Sequence, residues 1–467
     1  MSRSSREIKS QDNFRNRVST VDDKGKRIFI LPKIVKGQWF KYRTYFSWFL
    51  LALLFVGPFI TYKGRPLLLF NVLERKFIIF GTVFWPQDFI LFLLAVISLI
   101  IFVILFTVVF GRLFCGWACP QTVFMEMVFR KIEFWIEGNH VQQKRLRNAP
   151  WTADKVKKRV LKYTIFIFIA FLIGNLLMAY IVGKDETFAI ITSPPSENWV
   201  GFLLVMAFTG ITFFNFAYFR EQVCTVVCPY GRLQGVLLDN KSILVAYDHQ
   251  RGEPRELPRK QRSEGAGDCI DCFACVDVCP TGIDIRNGTQ LECVNCTACI
   301  DACDEIMDKV KKPRGLVRYA SEHDIQHGKE TKFNARVIAY SAVLVLILGI
   351  FTTLLATRPD VEATIIKARG SLYSVDERDY IKNIFNVQVA NKTYQEFDIQ
   401  LKMDPSWQAE IVEVGNRISV DPESNSEGIF TLSIPRSKLP RKSTKVPVQI
   451  WSGDKLIDEV DVKFLRP

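Results

Sequence analysis

Residues 89–110 read FILFLLAVISLIIFVILFTVVF, a run of 22 positions without a charged side chain. An α-helix rises about 1.5 Å per residue, so a run of this length crosses the roughly 30 Å hydrocarbon core of a bilayer. Buried helices of water-soluble proteins rarely exclude Asp, Glu, Lys and Arg over such a length. The segment therefore predicts a transmembrane α-helix.

Similar uncharged apolar runs occur elsewhere in the chain, at 45–62, 163–182, 199–219 and 337–356. Together the runs predict a multi-domain membrane protein with an α-helical transmembrane bundle of five spans. The composition agrees, because 49% hydrophobic residues exclude a disordered chain and a length of 467 residues excludes a small disulfide-stapled scaffold. The lipid bilayer is thus the first predicted partner.

The distribution of Lys and Arg predicts the orientation of these spans, because cytoplasmic segments retain positive charge. The first 44 residues are basic, and residues 111–162 contain 11 Lys and Arg. Both segments are expected in the cytoplasm, and five crossings then place the C-terminal part in the periplasm. No cleavable signal is expected before the first span, so a bacterial inner membrane is the predicted location. The net charge is +13, and the basic segments flank the predicted spans. Anionic lipid headgroups are therefore a better predicted partner than nucleic acid.

Eight of the 12 cysteines lie between the fourth and fifth runs, in CIDCFACVDVCP at 269–280 and CVNCTACIDAC at 293–303. Both stretches follow the C-x2-C-x2-C-x3-C pattern of bacterial ferredoxins with two 4Fe-4S clusters, in which the fourth Cys of each copy ligates the other cluster. One cluster is predicted at Cys269, Cys272, Cys275 and Cys303, and the other at Cys293, Cys296, Cys299 and Cys279. A zinc ribbon would need more widely separated pairs, and a cytoplasmic segment disfavours disulfides.

The remaining cysteines form two C-x3-C-P boxes, each directly after a predicted span. They are Cys115, Cys119, Cys224 and Cys228, which constitute the membrane-edge group. On a helix, positions i and i+4 share a face, so each box is predicted to present two thiols together, and the repeated arrangement indicates an internal duplication. Four sulfur ligands suit Cu(I), a third iron–sulfur centre or a reversible dithiol pair. The residues alone leave these open, beside simple packing of buried Cys.

Other charged and ligating residues carry weaker signals. The four histidines lie outside the predicted spans, which excludes a transmembrane bis-histidine haem, and no glycine-rich fingerprint follows a strand, which disfavours a nicotinamide cofactor. Arg112, Arg232 and Arg318 lie near the same boundary as the boxes and are predicted to be lipid anchors.

The C-terminal part, from residue 358, has a different pattern. Stretches such as YIKNIFNVQV at 380–389 and GIFTLSI at 428–434 alternate apolar and polar residues between short turns. A period of two is typical of strands, so the segment predicts a β-sandwich of about 100 residues. It contains no Cys, and we expect a binding or stabilising module without redox chemistry.

The spans, the paired ferredoxin motif, the two boxes and the β tail occur in an order that resembles the CcoG/FixG (RdxA-like) family of cytochrome c oxidase accessory proteins, which are membrane-bound polyferredoxins. RIFILPK at 27–33, NVLERK at 71–76 and WPQDF at 85–89 add to the likeness. The predicted domains are a basic cytoplasmic arm at 1–44, a four-helix transmembrane region at 45–232, a cytoplasmic ferredoxin-like module at 233–335, a fifth transmembrane helix at 336–357 and a periplasmic immunoglobulin-like β domain at 358–467.

The resemblance implies an oxidoreductase that reduces Cu(II) to Cu(I) during assembly of a cbb-type cytochrome c oxidase. It implies that the membrane-edge thiols bind or reduce copper. The expected partners are a cytoplasmic electron donor, copper ions, a copper transporter or chaperone and oxidase assembly factors. Two alternatives remain open at this point: a quinone-linked electron-transfer subunit of a respiratory chain, and a non-redox copper-binding assembly scaffold.

Overall fold

The computed structural model describes residues 20–21, 24, 26–62, 65–71, 76–79, 82–84, 88–257, 263–328, 335–359, 361–368, 370, 372–376, 378–393, 395–415, 418–422 and 424–467. The chain divides into two compact units. The first comprises Met1–Gly81 and Phe92–Gly349, and the second comprises Thr82–Leu91 and Ile350–Pro467.

The described α-helices belong mostly to the first unit. They are α1 (Gln38–Val56), α2 (Phe89–Phe110), α3 (Leu113–Trp117), α4 (Pro120–Phe124), α5 (Arg130–Glu137), α6 (His140–Asn148), α7 (Ala153–Val182), α8 (Lys184–Thr192), α9 (Trp199–Phe214), α10 (Pro229–Leu237), α11 (His249–Gly252), α12 (Ala274–Asp277), α13 (Ala298–Lys309), α14 (Glu322–His327) and α15 (Ala335–Ala356). Turns of π-helix occur at Met125–Phe129 and Asn215–Phe219, close to the two cysteine boxes, and at Val223–Val227, which includes Cys224 of the second box. Such turns are frequent at functional sites.

The strands are short in the first unit and longer in the second. They are β1 (Thr61–Tyr62), β2 (Arg65–Pro66), β3 (Leu68–Asn71), β4 (Lys76–Ile79), β5 (Thr82–Phe84), β6 (Leu244–Tyr247), β7 (Val317–Ala320), β8 (Val361–Lys367), β9 (Ser374–Val375), β10 (Tyr380–Asn391), β11 (Phe397–Lys402), β12 (Glu410–Val414), β13 (Ile418–Val420), β14 (Asn425–Pro435), β15 (Ser443–Ser452) and β16 (Lys455–Leu465).

Four helices in the described part of the chain are long and apolar enough to cross a bilayer: Phe89–Phe110, Ala153–Val182, Trp199–Phe219 and Val337–Ala356. The prediction of a membrane protein is therefore confirmed, whereas the count of five spans is not. The run predicted at 45–62 was placed wrongly. Its helix is α1, which begins earlier, at Gln38, and ends at Val56, because Pro58 in the next turn has no N–H to continue it.

Phenylalanine packing holds the membrane helices of the first unit together. The fully buried ring of Phe129 stacks on Phe216 with a centroid distance of 4.4 Å and meets Phe166 edge to face at 4.7 Å. Phe166 lies on α7, and α7 packs against α9. The segment after the first cysteine box is thereby fixed between these two helices.

The eight-cysteine segment is framed by an antiparallel strand pair and by α13. Strand β6 pairs with β7, with Leu244 opposite Ala320 and Tyr247 opposite Val317. On α13, the carboxylate of Asp301 accepts hydrogen bonds from the backbone N–H of Trp39 at 3.2 Å and of Phe40 at 2.7 Å. These N–H groups belong to the first turn of α1 and have no partner within the helix, so Asp301 joins the ferredoxin module to α1.

The second unit contains a β-sandwich, as the alternating sequence pattern predicts. One sheet has the order β12-β14-β10-β8, with β9 on β10, and the other has the order β13-β11-β15-β16. Phe385 of β10 faces Phe430 of β14, and both rings lie in a core from which water is excluded. Buried Asp88 binds Arg358, and its carboxylate lies 2.8 Å from Nζ of Lys392.

Candidate functional site

The two copies of the cysteine motif share an unusual backbone. Asp271 and Phe273 have φ values of 50° and 59°, and the equivalent residues of the second copy, Asn295 and Thr297, have 53° and 65°. Left-handed residues turn successive N–H groups toward one side of the chain, which creates a concave site for anions. Burial raises the pKa of Cys269 and Cys293, and the nearby backbone of Asp271 and Asn295, respectively, opposes this rise. The sequence repeat is thus also a structural repeat.

The eight cysteines gather around two neighbouring cavities. Cys269, Cys272, Cys275 and Cys303 line the first cavity. Cys279, Cys293, Cys296 and Cys299 line the second, together with Cys275. Each cavity therefore receives the fourth Cys of the other copy, and the shared Cys275 shows that the two cavities are adjacent.

The surroundings of these sulfurs suit iron–sulfur clusters. None of the 12 cysteines, all of which lie in the described part of the chain, forms a disulfide. Burial raises the pKa of Cys296 to about 11 and that of Cys293 to about 12, so these thiols become thiolates only where cations replace their protons. Within the described residues, no three His, Cys, Asp or Glu side chains are placed to hold a single metal ion. Each cavity is lined by the four cysteines that the ferredoxin pattern assigns to one cluster.

A buried arginine lies beside the first cavity. Arg286 lines it, is 8% exposed, and binds Asp284 and Asp271. Its guanidinium also lies over the Phe273 ring, 4.1 Å from the centroid. Although burial opposes the charge, the two carboxylates raise the pKa of Arg286 above its usual value. The spacing of cysteines in the sequence gave no signal for this residue.

The membrane-edge group differs from its predicted geometry. Cys115 lies in α3, but Cys119 precedes α4 with φ −62° and ψ 124°. Cys228 precedes α10 with φ −68° and ψ 112°. The prediction that each box presents both thiols from one helix was therefore wrong. A residue before proline is disfavoured in the helical region, and Pro120 and Pro229 follow these two cysteines.

A buried glutamine connects the two boxes. The Cys115 thiol donates to Oε1 of Gln234 at 3.1 Å, and Nε of Arg112 donates to the same oxygen at 3.1 Å. Gln234 is fully buried and Arg112 is 3% exposed. The prediction of Arg112 as a lipid anchor was wrong, since its charge is directed toward the cysteines. Burial raises the pKa of Cys115 to about 11 and that of Cys224 to about 12.

The membrane-edge group touches the second ferredoxin cavity. Cys115 packs in one cluster with Val294 and Cys296. The neighbouring Gly116 lies so close to this loop that a Cβ added there would be 2.3 Å from the carbonyl oxygen of Val294. Nε of Arg43 donates to the carbonyl of Gly116 at 2.8 Å and holds the segment in place. The two groups of cysteines are therefore connected by direct packing.

An ion network that sequence reasoning missed lies next to the second box. Both terminal nitrogens of Arg220 donate to the Glu133 carboxylate at 2.9 Å. Both residues are buried, and Lys162 lies 3.6 Å from the same carboxylate. Arg220 also has a φ of 52° at the end of the π-helical turn. The bidentate pair holds this strained residue four positions before Cys224.

An apolar cavity of about 720 Å³ borders the same region. Its walls include Trp39, Tyr42 and Phe46 of α1, Phe106 and Phe110 of α2, Trp117 of α3 and Tyr319 of β7. The Tyr319 hydroxyl donates to the carbonyl of Asn295 at 3.3 Å, so the cavity reaches the loop of the second cysteine motif. Its size and aromatic walls are those of a small-molecule site.

The fold and these sites define a membrane-bound iron–sulfur electron-transfer protein. Three family models match the chain: a 4Fe-4S dicluster domain at residues 219–322, a 4Fe-4S binding domain at 92–139, and the IG-like fold at the C-terminal of FixG at 351–467. The predictions of iron–sulfur chemistry and of an immunoglobulin-like sandwich are thereby confirmed.

Full-length relatives identify the family. Protein RdxA of Cereibacter sphaeroides is 35% identical over 81% of this chain and 82% of its own length, and protein RdxB of the same organism is 33% identical over 81% and 82%. Nitrogen fixation protein FixG of Rhizobium meliloti is 31% identical over 81% and 80%. The chain belongs to the FixG/RdxA family, as its motif order indicates.

Proposed function

We propose that this protein is a cupric reductase of the membrane, which passes electrons from a cytoplasmic donor through the two ferredoxin cavities to Cu(II) at the membrane-edge group. The observation that carries this proposal is the position of Cys115 in one buried apolar group with Val294 and Cys296, next to Gly116, where an added Cβ would be 2.3 Å from the Val294 carbonyl oxygen. It gives electrons a direct route from the ferredoxin module to thiols beside the membrane helices. The Cu(I) product would serve assembly of a cbb-type cytochrome c oxidase.

The cysteines that line the two cavities support an assignment of the ligands of two clusters. We assign the first cluster to Cys269, Cys272, Cys275 and Cys303, and the second to Cys293, Cys296, Cys299 and Cys279. The assignment is supported because each set of four cysteines lines one cavity. Bound clusters supply storage for single electrons. The cysteines of the second cavity are buried or half-buried, whereas Cys272 of the first cavity is exposed.

Copper enters as the substrate. Reduction of each Cu(II) takes one electron, so two reduced clusters suffice for two copper ions. Thiol surroundings favour Cu(I) over Cu(II), because the soft ion prefers sulfur ligands. Arg112 is directed toward Cys115 and favours thiolate there. Copper is proposed as the substrate because of the family resemblance. The proposed site of its reduction is the membrane-edge group of Cys115, Cys119, Cys224 and Cys228.

The proposed orientation places the N-terminal arm and the ferredoxin module in the cytoplasm and the β-sandwich in the periplasm. This requires a fifth span, for which α1 is the candidate. Large apolar side chains of α1 face outward, including Trp48, Phe49 and Leu53, each more than half exposed. Such a surface is unfavourable in water and favourable in lipid. The orientation is tested in whole cells with a membrane-impermeant thiol reagent and a cysteine introduced at Ser4 or at Ser452. The reagent is expected to label the cysteine at 452, in the periplasm, and not the one at 4, in the cytoplasm.

A cellular experiment tests the copper role. A strain that lacks the protein is complemented with the wild type or with Cys115→Ser/Cys224→Ser and grown at limiting copper. The proposal predicts low cbb-type oxidase activity with the double variant and recovery when copper is added in excess. Oxidase activity that is equal for wild type and variant at every copper concentration contradicts the role.

A second candidate function is electron exchange with membrane quinone. The apolar cavity of about 720 Å³ favours it, because Trp117 and Tyr319 bring a bound ring close to both cysteine groups. Burial raises the pKa of Tyr319, so its hydroxyl stays a proton donor. Oxidation of a quinol would release two electrons and two protons, and each cluster would accept one electron. Cluster reduction by a soluble quinol, in protein free of copper, distinguishes this function from the first.

A further inference from the structure

The four membrane-edge cysteines converge from two chain segments. The Cys115 thiol donates at 3.1 Å to Gln234, on the helix that follows Cys228. A Cβ added at Gly231 of the same helix would be 2.4 Å from the Arg112 guanidinium and 3.0 Å from the Cys224 carbonyl oxygen. Two reciprocal hydrogen bonds between the side-chain amides of Gln121 and Asn215, at 3.1 and 2.7 Å, join the segments nearby. The four thiols therefore belong to one site.

The two boxes enter this site with the same backbone geometry. The N–H of Cys119 donates to the carbonyl of Phe114 at 2.9 Å, and the N–H of Cys228 donates to that of Val223 at 2.7 Å, each five residues earlier. Both cysteines are extended, and each stands directly before a helix that begins with proline. Two similar loops that present two sulfurs each can surround a ligand of compact, symmetric shape.

Buried polar groups surround the sulfurs. Arg112 and Gln234 are 3% and 0% exposed, and both contact the region of Cys115. Nε2 of Gln234 lies near the Tyr230 hydroxyl but makes no well-aligned hydrogen bond. The helix that follows the second box approaches the site closely at Gly231, where a Cβ would be 2.4 Å from the Arg112 guanidinium and 3.0 Å from the Cys224 carbonyl oxygen. A buried cation held beside thiols suits a site whose ligand carries negative charge.

The count of cysteines also favours a cluster here. The 4Fe-4S binding-domain model matches residues 92–139, a segment that holds only Cys115 and Cys119. Iron–sulfur clusters with cysteine ligands alone take four thiolates, so two more are needed. Cys224 and Cys228 lie within the dicluster match at 219–322 but outside its eight motif cysteines. They are the two that remain.

Four cysteines on two similar loops match the number of thiolates that an iron–sulfur cluster takes, and the buried Arg112 lies beside them. We propose that Cys115, Cys119, Cys224 and Cys228 hold a third iron–sulfur cluster, formed by both halves of the duplicated membrane region.

This inference deepens the proposed function, because it names the group that the membrane-edge cysteines bind. It rests on the proposed function only for Cu(II) as the electron acceptor. The third cluster would lie beside the second, since Cys115 belongs to one buried apolar group with Val294 and Cys296, and a Cβ at the neighbouring Gly116 would be 2.3 Å from the Val294 carbonyl oxygen. This cluster would be the last electron carrier in the protein before Cu(II). The inference therefore replaces direct copper–thiolate binding in the proposed function by transfer of one electron from the cluster to each Cu(II) at the same group.

Iron and acid-labile sulfide, counted per chain, test the inference. The full-length protein is purified anaerobically in detergent, beside Cys115→Ser/Cys224→Ser, which removes one ligand from each box. Val227→Ser is the matched control, because Val227 is 56% exposed in the same π-helical turn as Cys224. The inference predicts about 12 iron atoms in wild type and control for a third cubane, or about 10 for a 2Fe-2S cluster, and about 8 in the double variant.

An iron count of about 8 in the wild type, with equal sulfide, overturns the inference, whether the site then holds copper or a disulfide. If the double variant does not fold, the wild-type count and the electron paramagnetic resonance spectrum of the reduced protein still decide, since three clusters give an additional signal. Cu(II) reduction is assayed on the same samples. A third cluster without Cu(II) reduction leaves the inference standing and refutes the proposed function, and the converse result refutes the inference alone.

Discussion

The Cys115 thiol lies 3.1 Å from Oε1 of Gln234, although the two residues are 119 positions apart in the chain. Arg112 donates to the same oxygen, so one buried amide holds both the sulfur and the guanidinium in place. Neither box motif contains this glutamine. The helix that follows the second box, α10, therefore supplies the hydrogen-bond acceptor for Cys115 of the first box.

Replacement of Gln234 by Ala tests this role. The variant leaves the buried Arg112 Nε without its acceptor, which costs about 1–3 kcal/mol. We expect a lower free energy of unfolding and a loss of iron from the membrane-edge group, with the ferredoxin signals unchanged. Measurements are thermal unfolding and iron content of the full chain. Gln326→Ala, on the exposed face of α14, is the control, and an equal effect of both substitutions contradicts the role.

The substitution Gly116→Ala tests the contact between α3 and the second copy of the ferredoxin motif, at residues 293–303. A Cβ at Gly116 meets the backbone of Val294 and Asn295, which cannot rotate away. Overpacking of this kind costs about 1–3 kcal/mol, so we expect a lower unfolding temperature and slower electron transfer out of the ferredoxin module.

The matched control for this variant is Gly210→Ala, since a Cβ at Gly210, within α9, has no neighbour within 4 Å. That change is expected to be neutral or stabilising, because Ala is favoured over Gly in a helix interior. Equal electron-transfer rates in Gly116→Ala and wild type would show that the close approach is not part of the route.

The buried pair of Glu133 and Arg220 predicts a dependence of stability on pH. Burial would raise the pKa of Glu133, but Arg220, Lys162 and Arg130 outweigh it and hold the pKa below its usual value. A lowered folded-state pKa contributes stability that is complete above the unfolded pKa, about 4.5, and that is lost as the pH falls through the lower value. Wild type is therefore expected to lose stability below about pH 4.5 more steeply than Glu133→Gln.

At neutral pH, Glu133→Gln leaves the buried charge of Arg220 without its partner, which costs about 3–5 kcal/mol. Chemical unfolding of the full chain measures this loss. Glu305→Gln is the control, because Glu305 pairs with Lys309 on the surface, where both side chains are more than half exposed, and such pairs contribute about 0–1 kcal/mol. If the two substitutions have the same effect, the buried network is not important for stability.

The sequence predicts most of the architecture, because its signals are local. The apolar runs, the cysteine spacing and the alternation in the tail each depend on residues close together in the chain. The conformation of Cys119 and Cys228 was missed because the rule for helix faces took no account of the proline that follows each of them. The end of α1 at Val56 was missed for a similar reason, since an uncharged run continues past Pro58.

Features that depend on distant residues were beyond sequence reasoning. A lone Gln234 has no pattern that connects it with Cys115, and the burial of Arg112 follows only from that connection. Glu133 and Arg220, 87 positions apart, likewise become partners only in the folded chain. These residues surround the membrane-edge group, so the part of the site closest to its chemistry was the part least visible in the sequence.

The central claim is that electrons leave the ferredoxin module through the membrane-edge group and reach Cu(II). Stopped-flow mixing of the dithionite-reduced, copper-free protein with Cu(II), followed at the cluster absorption and with a Cu(I)-specific chelator, tests it most directly. We predict rapid oxidation of the clusters with one Cu(I) formed per electron, and loss of the rapid phase in Cys115→Ser/Cys224→Ser. Oxidation no faster than that of a free two-cluster ferredoxin, or equally fast in the double variant, would contradict the claim.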